Sequence, residues 1–330
     1  MQQILPFLPI GIQHLLSNIS DQFIYSIEEI RMRVERPLMI ICDRTDYFIK
    51  MDGHVSHTPH HAYIVSQEDC QCFIQNISDF SLYALEDELR NGFITTKGGY
   101  RIGIVGKAVL ENGRLKVLTH YSGFNIRIAR QIFGVADKVL PYMISENSKV
   151  LHTLIISPPQ LGKTTLLRDI ARQISNGWSD FKGVKVGIID ERSEIAGCYR
   201  GIPQNDVGLR TDVLDGCPKV EGMLMMIRSM SPQVIVTDEI GKNEDIFALE
   251  EALYAGVKVI TSVHGENIDE LYKRPIMKDI LSRSIFERYI ILGDSRGVGT
   301  VEAILDGETF TDLYNKITIS TVASTSCSMY

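Results

Sequence analysis

The second half of the chain repeats one pattern, in which a short apolar run is followed by a segment of helical periodicity. The runs lie at 152–157, 184–190, 234–238 and 258–263. Continuous apolar runs of this length are typical of parallel strands buried on both faces, and the segments between them predict helical crossovers. We therefore predict an α/β fold with a parallel sheet that is covered on both faces and closed by strands at 288–292 and 299–305.

Ahead of this pattern the chain is less regular and predicts a smaller α+β domain. We expect a strand at 38–42 and helices at 27–34, 68–77 and 82–90. From residue 93 to 130 the pattern changes to strands, and Asn112-Gly113 predicts a hairpin because both residues tolerate positive φ. The expected divisions are an N-terminal domain at 1–135, a second domain at 136–317 and a disordered Ser/Thr-rich tail at 318–330.

Composition narrows the class of protein. The 330 residues are 44% hydrophobic and 23% charged, which excludes a largely disordered chain. A formal charge of −7 argues against a protein that coats DNA non-specifically. Six scattered cysteines predict reduced thiols in a cytoplasmic protein, and no apolar run is long enough to span a bilayer. The apolar segment 4–16 is either an amphipathic helix docked on its own domain or a membrane-surface anchor.

The segment that carries chemistry follows the first apolar run of the second half. It reads Ser157-Pro158-Pro159-Gln160-Leu161-Gly162-Lys163-Thr164-Thr165. A strand, this loop and a helix form the context of a phosphate-binding loop, in which backbone N–H groups and a helix start face an anion. We predict that Lys163 reaches the β/γ-phosphates of ATP and that the Thr164 hydroxyl holds Mg²⁺. Ser157 replaces the usual first glycine and the prolines donate no N–H, so the amides of residues 161–165 are expected to bind phosphate.

Three further run ends carry candidate site residues. Asp238 is predicted to bind Mg²⁺ through water, and Glu239 to polarise the attacking water. The stretch from Asp190 and Glu191 to residue 194 is either a capping and ion-pair cluster or part of the catalytic carboxylate set. His264 ends the next run, where it is either a sensor of the γ-phosphate or water or an ordinary satisfied histidine.

Taken together, these segments resemble the stage III sporulation protein AA family, ATPases of endospore-forming bacteria that are related to the hexameric motors of type II and type IV secretion. The matching stretches are 78–90, 92–105, 125–130, 155–168 with the same glycine-poor loop, 190–215, 221–239 and 301–302. The resemblance implies an α/β fold with a RecA-like P-loop ATPase core. It also implies that Asp190 and Glu191 belong to an acidic box, Asp238 and Glu239 to Walker B, and His264 to a histidine box.

The same resemblance implies partners and a location. The chain is expected to assemble with itself in a ring, as a hexamer, and to act with membrane proteins of the channel between mother cell and forespore. It is expected in the mother-cell cytoplasm, meeting the membrane only through these partners. No nucleic-acid partner is expected, because the chain is acidic and carries no recognisable DNA-binding motif, which argues against a DNA motor.

Phosphoryl transfer needs more positive charge than Lys163 and Mg²⁺ supply. Arg127 and Arg130 end a strand-like segment of the first domain, and in a ring motor that domain can lie over the nucleotide of a neighbour. We therefore predict that Arg127 or Arg130 acts in trans, with Arg210 as the next candidate. An ATP-gated assembly scaffold with little or no turnover is the alternative function, although a pure switch does not need Glu239.

Overall fold

The computed structural model describes residues 3–78, 89, 92–111, 113–128 and 130–314. The chain divides into two compact units, one of Met1–Arg130 with Gly197–Gln204 and one of Gln131–Ala196 with Asn205–Tyr330. Apart from Leu89, the helix expected at 82–90 lies outside the described residues, as does the expected tail at 318–330. Within the described ranges, no helix has both the length and the apolar composition that crossing a bilayer requires.

The first unit is built on an antiparallel sheet. Its strands are β1 Ile27–Arg33, β2 Met39–Cys42, β3 Thr45–Ile49, β4 Val55–Ser56, β5 Phe93–Thr95, β6 Arg101–Glu111 and β7 Arg114–Arg127. Their order across the sheet is β4-β3-β2-β1-β7-β6-β5. Its described helices include α1 Ile10–Ser17, α2 Asp21–Ile24 and α3 Gln67–Ile77. Helix α1 buries Ile12, Leu15 and Leu16 in the core of this unit, as docking of the N-terminal segment on its own domain predicts.

The helix predicted at 27–34 is wrong, because this segment is strand β1. The register of β1 against β2 shifts between Ile27 and Glu29. Such a bulge adds one residue to a strand and breaks the alternation of its faces. Ile27 and Ile30, three residues apart, are therefore both fully buried, and this spacing imitates a helix in the sequence. The strand at Met39–Cys42, the helix at Gln67–Ile77 and the β6–β7 hairpin are confirmed.

The second unit is built on a mostly parallel sheet. Its elements begin with helix α4 Leu140–Met143, strand β8 Thr153–Ser157 and helix α5 Lys163–Asn176. The strands that follow are β9 Gly177–Trp178, β10 Phe181–Lys182, β11 Val186–Asp190, β12 Thr211–Asp215, β13 Val234–Glu239, β14 Lys258–His264, β15 Arg288–Gly293 and β16 Thr300–Asp306. The later helices are α6 Lys219–Met230, α7 Asn243–Tyr254, α8 Ile268–Tyr272 and α9 Pro275–Ser282. The main sheet has the order β12-β11-β13-β14-β8-β15-β16, and β9 pairs with β10 separately.

The predicted α/β fold with a parallel sheet and a closing strand pair is confirmed, with β16 antiparallel to β15. Helices cover both faces. Gly187 and Ile189 of β11 face α6, where a Cβ on Gly187 would meet Met226 at 2.6 Å. Asp190 points to the opposite face, since side chains alternate along a strand, and α5 packs on β11 and β13 there. The prediction that the segments between these strands are helical is wrong for one of them. That segment contains β12, the outermost strand on one side of the sheet.

Candidate active site

Four strand ends of the second unit meet at one edge of the sheet. Ser157 at the end of β8 pairs with His264 at the end of β14. Glu239 at the end of β13 pairs with Ser262 of β14. Asp190 ends β11, which runs parallel to β13. Because parallel strands present their carboxyl ends at the same edge, the structure brings together the run ends that the sequence singles out.

The loop between β8 and α5 leaves the first turn of the helix uncapped. Gly162 precedes α5 with a φ of +85°, a left-handed conformation that glycine adopts without strain. The N–H groups of the first turn have no intrahelical acceptor, as in any helix, and among the described residues no side chain caps them. These are the groups that the sequence assigns to phosphate. The exposed and half-buried residues of this segment are Pro158, Pro159, Gln160, Leu161, Gly162, Thr164 and Thr165.

Lys163 is buried, and its ammonium group is fully hydrogen-bonded to the loop and to His264. Its Nζ donates to the Ser157 carbonyl at 3.3 Å, to the Pro158 carbonyl at 3.2 Å and to His264 Nδ1 at 2.7 Å. Burial lowers the pKa of Lys163 to about 8. The Ser157 hydroxyl is also engaged, because it donates to the Pro158 carbonyl at 2.9 Å. A phosphate oxygen that binds Lys163 must therefore replace one of three acceptors supplied by the chain.

His264 connects the loop to the acidic end of β13. An ammonium group only donates, so His264 Nδ1 accepts from Lys163, and the Nε2–H donates to Glu239 Oε1 at 2.8 Å. Burial and the neighbouring Lys163 lower the pKa of His264, in agreement with a neutral imidazole that accepts at one nitrogen and donates at the other. Lys163, His264 and Glu239 therefore form one continuous hydrogen-bonded chain.

Asp238 has the features of a cation ligand. Its Oδ1 atom is buried and, among the described residues, has no hydrogen-bond partner. The pKa of Asp238 is raised to about 6, mainly by burial, with Lys219 opposing the rise and Asp190 and Glu191 adding to it. Carboxylate and hydroxyl oxygens are the ligands that Mg²⁺ prefers, and Thr164 lies half-buried in the first turn of α5. The free Asp238 oxygen and the uncapped helix start fit a nucleotide accompanied by Mg²⁺.

The two adjacent carboxylates at the end of β11 have different surroundings. Asp190 is fully buried, and its carboxylate accepts the N–H groups of Glu194 at 2.8 Å, Ile195 at 3.1 Å and Ala196 at 2.8 Å. Asp190 therefore holds the loop after β11 in place. Glu191 is half-buried instead, and its Oε2 lies 4.0 Å from Lys219 Nζ.

Sequence reasoning misses Lys219, the first residue of α6. Only 6% of its side chain is exposed, and Nζ lies 3.7 Å from Asp238 Oδ1 and 3.9 Å from Asp245 Oδ1. Nζ also donates a hydrogen bond to the Glu239 carbonyl. One signal for it exists in the sequence. A lysine directly after Pro218, at the positive end of a helix, opposes the helix dipole and needs a nearby anion to offset it.

The predicted arginines are held by groups of their own units. In the first unit, Arg127 Nε lies 3.8 Å from Glu29 Oε1, and Arg130 donates to the Ile27 carbonyl at 2.6 Å. Both side chains remain exposed. In the second unit, Arg210 donates to the Ser175 carbonyl at 2.9 Å, which ties it to the end of α5. The action of Arg127 or Arg130 in trans stays a prediction.

Two solved structures share the fold. The Legionella pneumophila ATPase DotB is 16% identical, with a TM-score of 0.53 over 94% of this chain and 82% of that chain. The pilus retraction motor PilT with bound ADP is 15% identical, with a TM-score of 0.55 over 92% of this chain and 86% of that chain. At these identities the likeness concerns the fold, an α/β P-loop ATPase core preceded by a smaller α+β domain.

The sequence comparisons are more specific. The stage III sporulation protein AA of Bacillus subtilis strain 168 is 48% identical over 306 residues, which are 93% of this chain and 95% of that protein. Residues 1–310 match the sequence profile of the family described as sporulation stage III, protein AA. This match confirms the resemblance drawn from the loop and the acidic stretches. The chain belongs to the sporulation stage III protein AA family.

Proposed function

We propose that this chain binds ATP with Mg²⁺ at the carboxyl edge of its parallel sheet and hydrolyses it. The observation that carries the proposal is the hydrogen-bonded chain of Lys163, His264 and Glu239. Phosphoryl transfer needs a cationic group at the phosphates and a residue that orients the attacking water, both within reach of one substrate. Here two such groups contact the same imidazole ring.

Each residue has a chemical role in this proposal. The amides of residues 161–165 bind phosphate oxygens, and Lys163 neutralises charge on the β/γ-phosphates. Thr164 and Asp238 hold Mg²⁺, which supplies further neutralising charge when bound. Glu239 orients the attacking water and accepts its proton, while Glu191 adds to the carboxylate set. When Lys163 turns to a phosphate oxygen, His264 Nδ1 loses its donor, so His264 senses an occupied loop.

The biological role that we propose is the motor of a secretion-like apparatus needed for endospore formation. The name of the Bacillus subtilis relative supports the link to stage III of sporulation. The shared fold with a protein named a pilus retraction motor supports a motor role, and a ring of copies is part of the proposal. On this proposal the ring works in the mother-cell cytoplasm and reaches the membrane through the membrane proteins of the sporulation channel.

One observation favours a second candidate, an ATP-gated assembly scaffold with little turnover. Glu239 Oε1 is already engaged by His264 Nε2 at 2.8 Å. A carboxylate in this hydrogen bond is less available to orient water. Turnover would then be slow until a partner or a neighbouring copy moved His264, and nucleotide binding alone would control assembly.

The deciding experiment measures phosphate release from ATP by the purified full chain, with Mg²⁺ and with EDTA. Light scattering with and without ATP follows assembly in the same samples. We expect Mg²⁺-dependent turnover by an assembled ring. Assembly on ATP without phosphate release, also with the membrane partners present, would favour the scaffold. If ATP caused neither phosphate release nor assembly, both functions would be contradicted.

A further inference from the structure

Lys219 is a buried cation that the proposed reaction does not use. It lies at the start of α6 with three carboxylates within 4.0 Å of its Nζ, those of Glu191, Asp238 and Asp245. Lysine is almost never buried without a partner, because desolvating its charge is costly. The position of Lys219 therefore points to a task at the acidic half of the site.

Lys219 makes its hydrogen bond to one group and its charge contacts to others. The hydrogen bond goes to the main-chain carbonyl of Glu239. Asp238 Oδ1 lies 3.7 Å from Nζ, beyond hydrogen-bonding distance, and has no hydrogen-bond partner among the described residues. The ammonium thus balances the charge of the Asp238 carboxylate and leaves this oxygen free to bind another group.

Asp245 does not need Lys219 to hold it in place. Its Oδ2 accepts the N–H of Gly241 at 2.8 Å and the N–H of Lys242 at 2.9 Å, at the start of α7. The three carboxylates therefore carry fixed negative charge around one ammonium. A divalent cation approaching Asp238 is attracted by these carboxylates and repelled by Lys219 at short range, where Coulomb interactions are strong.

We propose that Lys219 is a positioning residue that balances the carboxylates of this half-site, so that a divalent cation binds there together with nucleotide and not alone. The inference rests on the proposed function, because it takes Asp238 as a cation ligand. Nucleotide phosphates add negative charge opposite Lys219 and supply further oxygen ligands. The cation then enters with the substrate, and Lys219 keeps Glu239 in position through its carbonyl.

The test measures binding of Mn²⁺ to the full chain by equilibrium dialysis, first without nucleotide and then with the imido analogue of ATP. Lys219→Gln keeps a donor for the Glu239 carbonyl and removes the charge. We expect this variant to bind Mn²⁺ alone about tenfold more tightly than the wild type, or tighter still. Lys219→Arg, which keeps the charge, should bind Mn²⁺ alone as weakly as the wild type. Adding Asp238→Asn to Lys219→Gln should abolish the gain.

A gain of Mn²⁺ binding counts only in a variant that keeps its fold. Lys219→Met, which fills the same volume, replaces Lys219→Gln if circular dichroism shows that the glutamine variant is unfolded. Lys258→Gln is the matched control, since it removes a lysine that lies 2.8 Å from a carboxylate at the opposite edge of the sheet. This control should bind Mn²⁺ as the wild type does.

Two results would overturn the inference in different ways. If folded Lys219→Gln binds Mn²⁺ alone no more tightly than the wild type, the charge of Lys219 does not control the cation, and the proposed ATPase function is untouched. If the wild type takes up no additional Mn²⁺ with the ATP analogue, the proposed function fails together with this inference.

Discussion

The two edges of the parallel sheet, at the amino and carboxyl ends of its strands, each hold a lysine, a histidine and a glutamate. The hydrogen bonds of these residues differ between the two edges. At the amino edge, His152 Nδ1 accepts the Val259 N–H at 3.1 Å. The main-chain N–H of His152 and Lys258 Nζ both donate to the Glu287 carboxylate at 2.8 Å. His152 is only 6% exposed, so its ring is closed to a ligand and its hydrogen bonds serve the fold.

At the carboxyl edge the histidine is open instead. The side chain of His264 is 41% exposed, and both of its nitrogens contact other side chains, those of Lys163 and Glu239, instead of the main chain. Asp238 Oδ1 beside them lacks a hydrogen-bond partner among the described residues. Residue type alone therefore does not identify a site. The exposure of the histidine and an unsatisfied carboxylate oxygen distinguish the edge that we propose binds nucleotide from the edge that stabilises the fold.

The largest difference between the edges is expected from their lysines. Lys163→Ala should lower ATP turnover by about 10³-fold or more, because the charge at the transferred phosphate is lost, while the melting temperature stays close to that of the wild type. Lys258→Ala is the matched change at the amino edge and should lower the melting temperature without slowing turnover. Phosphate release and thermal unfolding measure both. Wild-type turnover in Lys163→Ala would show that the loop after β8 is not the nucleotide site.

We expect substitutions of the two glutamates to differ in the same way, with a smaller effect on ATP turnover. Glu239→Gln keeps the shape of the side chain and removes the base, so we expect turnover to fall by about 10²-fold with ATP binding retained. Glu287→Gln at the amino edge should cost stability and leave turnover unchanged. Binding of a fluorescent ATP analogue and phosphate release distinguish these effects. An equal loss of binding and turnover in Glu239→Gln would instead assign it to the cation or the fold.

A third experiment asks whether a neighbouring copy completes the carboxyl edge. If Arg127 or Arg130 acts in trans, Lys163→Ala and the arginine→Ala variant are each inactive, yet a mixture contains interfaces where an intact loop faces an intact arginine. Part of the activity should therefore return on mixing. Full activity of each arginine variant alone, or no recovery in mixed rings detected by light scattering, would exclude these positions and leave Arg210 as the next candidate.

The sequence predicts the parallel strands well because they are buried on both faces. All five residues of β8 and of β11 are buried, so each appears as a continuous apolar run with a polar end. The half-buried elements are harder to predict from the sequence. The bulge in β1 places Ile27 and Ile30 on one face at helical spacing, and the edge strand β12 is mostly half-exposed and has no apolar run.

For the site, the sequence identifies residues at strand ends, because topology alone brings those ends to one edge. The sequence does not say which carboxylate accepts hydrogen bonds from the main chain of its own loop. Asp190 and Glu191 are adjacent in the chain, yet only the three N–H groups bonded to Asp190 reveal its structural role. Lys219 is missed because its contact with Asp238 depends on where α6 begins relative to β13, which spacing does not encode.

The smallest expected effect concerns the amino edge and the pH dependence of stability. Burial, aided by Lys258 and opposed by Glu287, lowers the pKa of His152 from 6.5 to about 4 in the folded protein. The unfolded chain therefore binds more protons than the folded one between these values, and stability is lost as the pH falls through this window. From about pH 7 to about pH 5 the loss attributable to His152 is about 2 kcal/mol.

His152→Asn isolates this contribution. The asparagine carbonyl can accept the Val259 N–H in place of Nδ1, and the side chain does not titrate. Free energies of unfolding from urea titrations at both pH values give the comparison. We expect the wild type to lose more stability than His152→Asn between about pH 7 and about pH 5, by about 2 kcal/mol. Equal losses in the two proteins would show that His152 is not held neutral, and the contrast between a closed histidine at the amino edge and an open one at the carboxyl edge would fail.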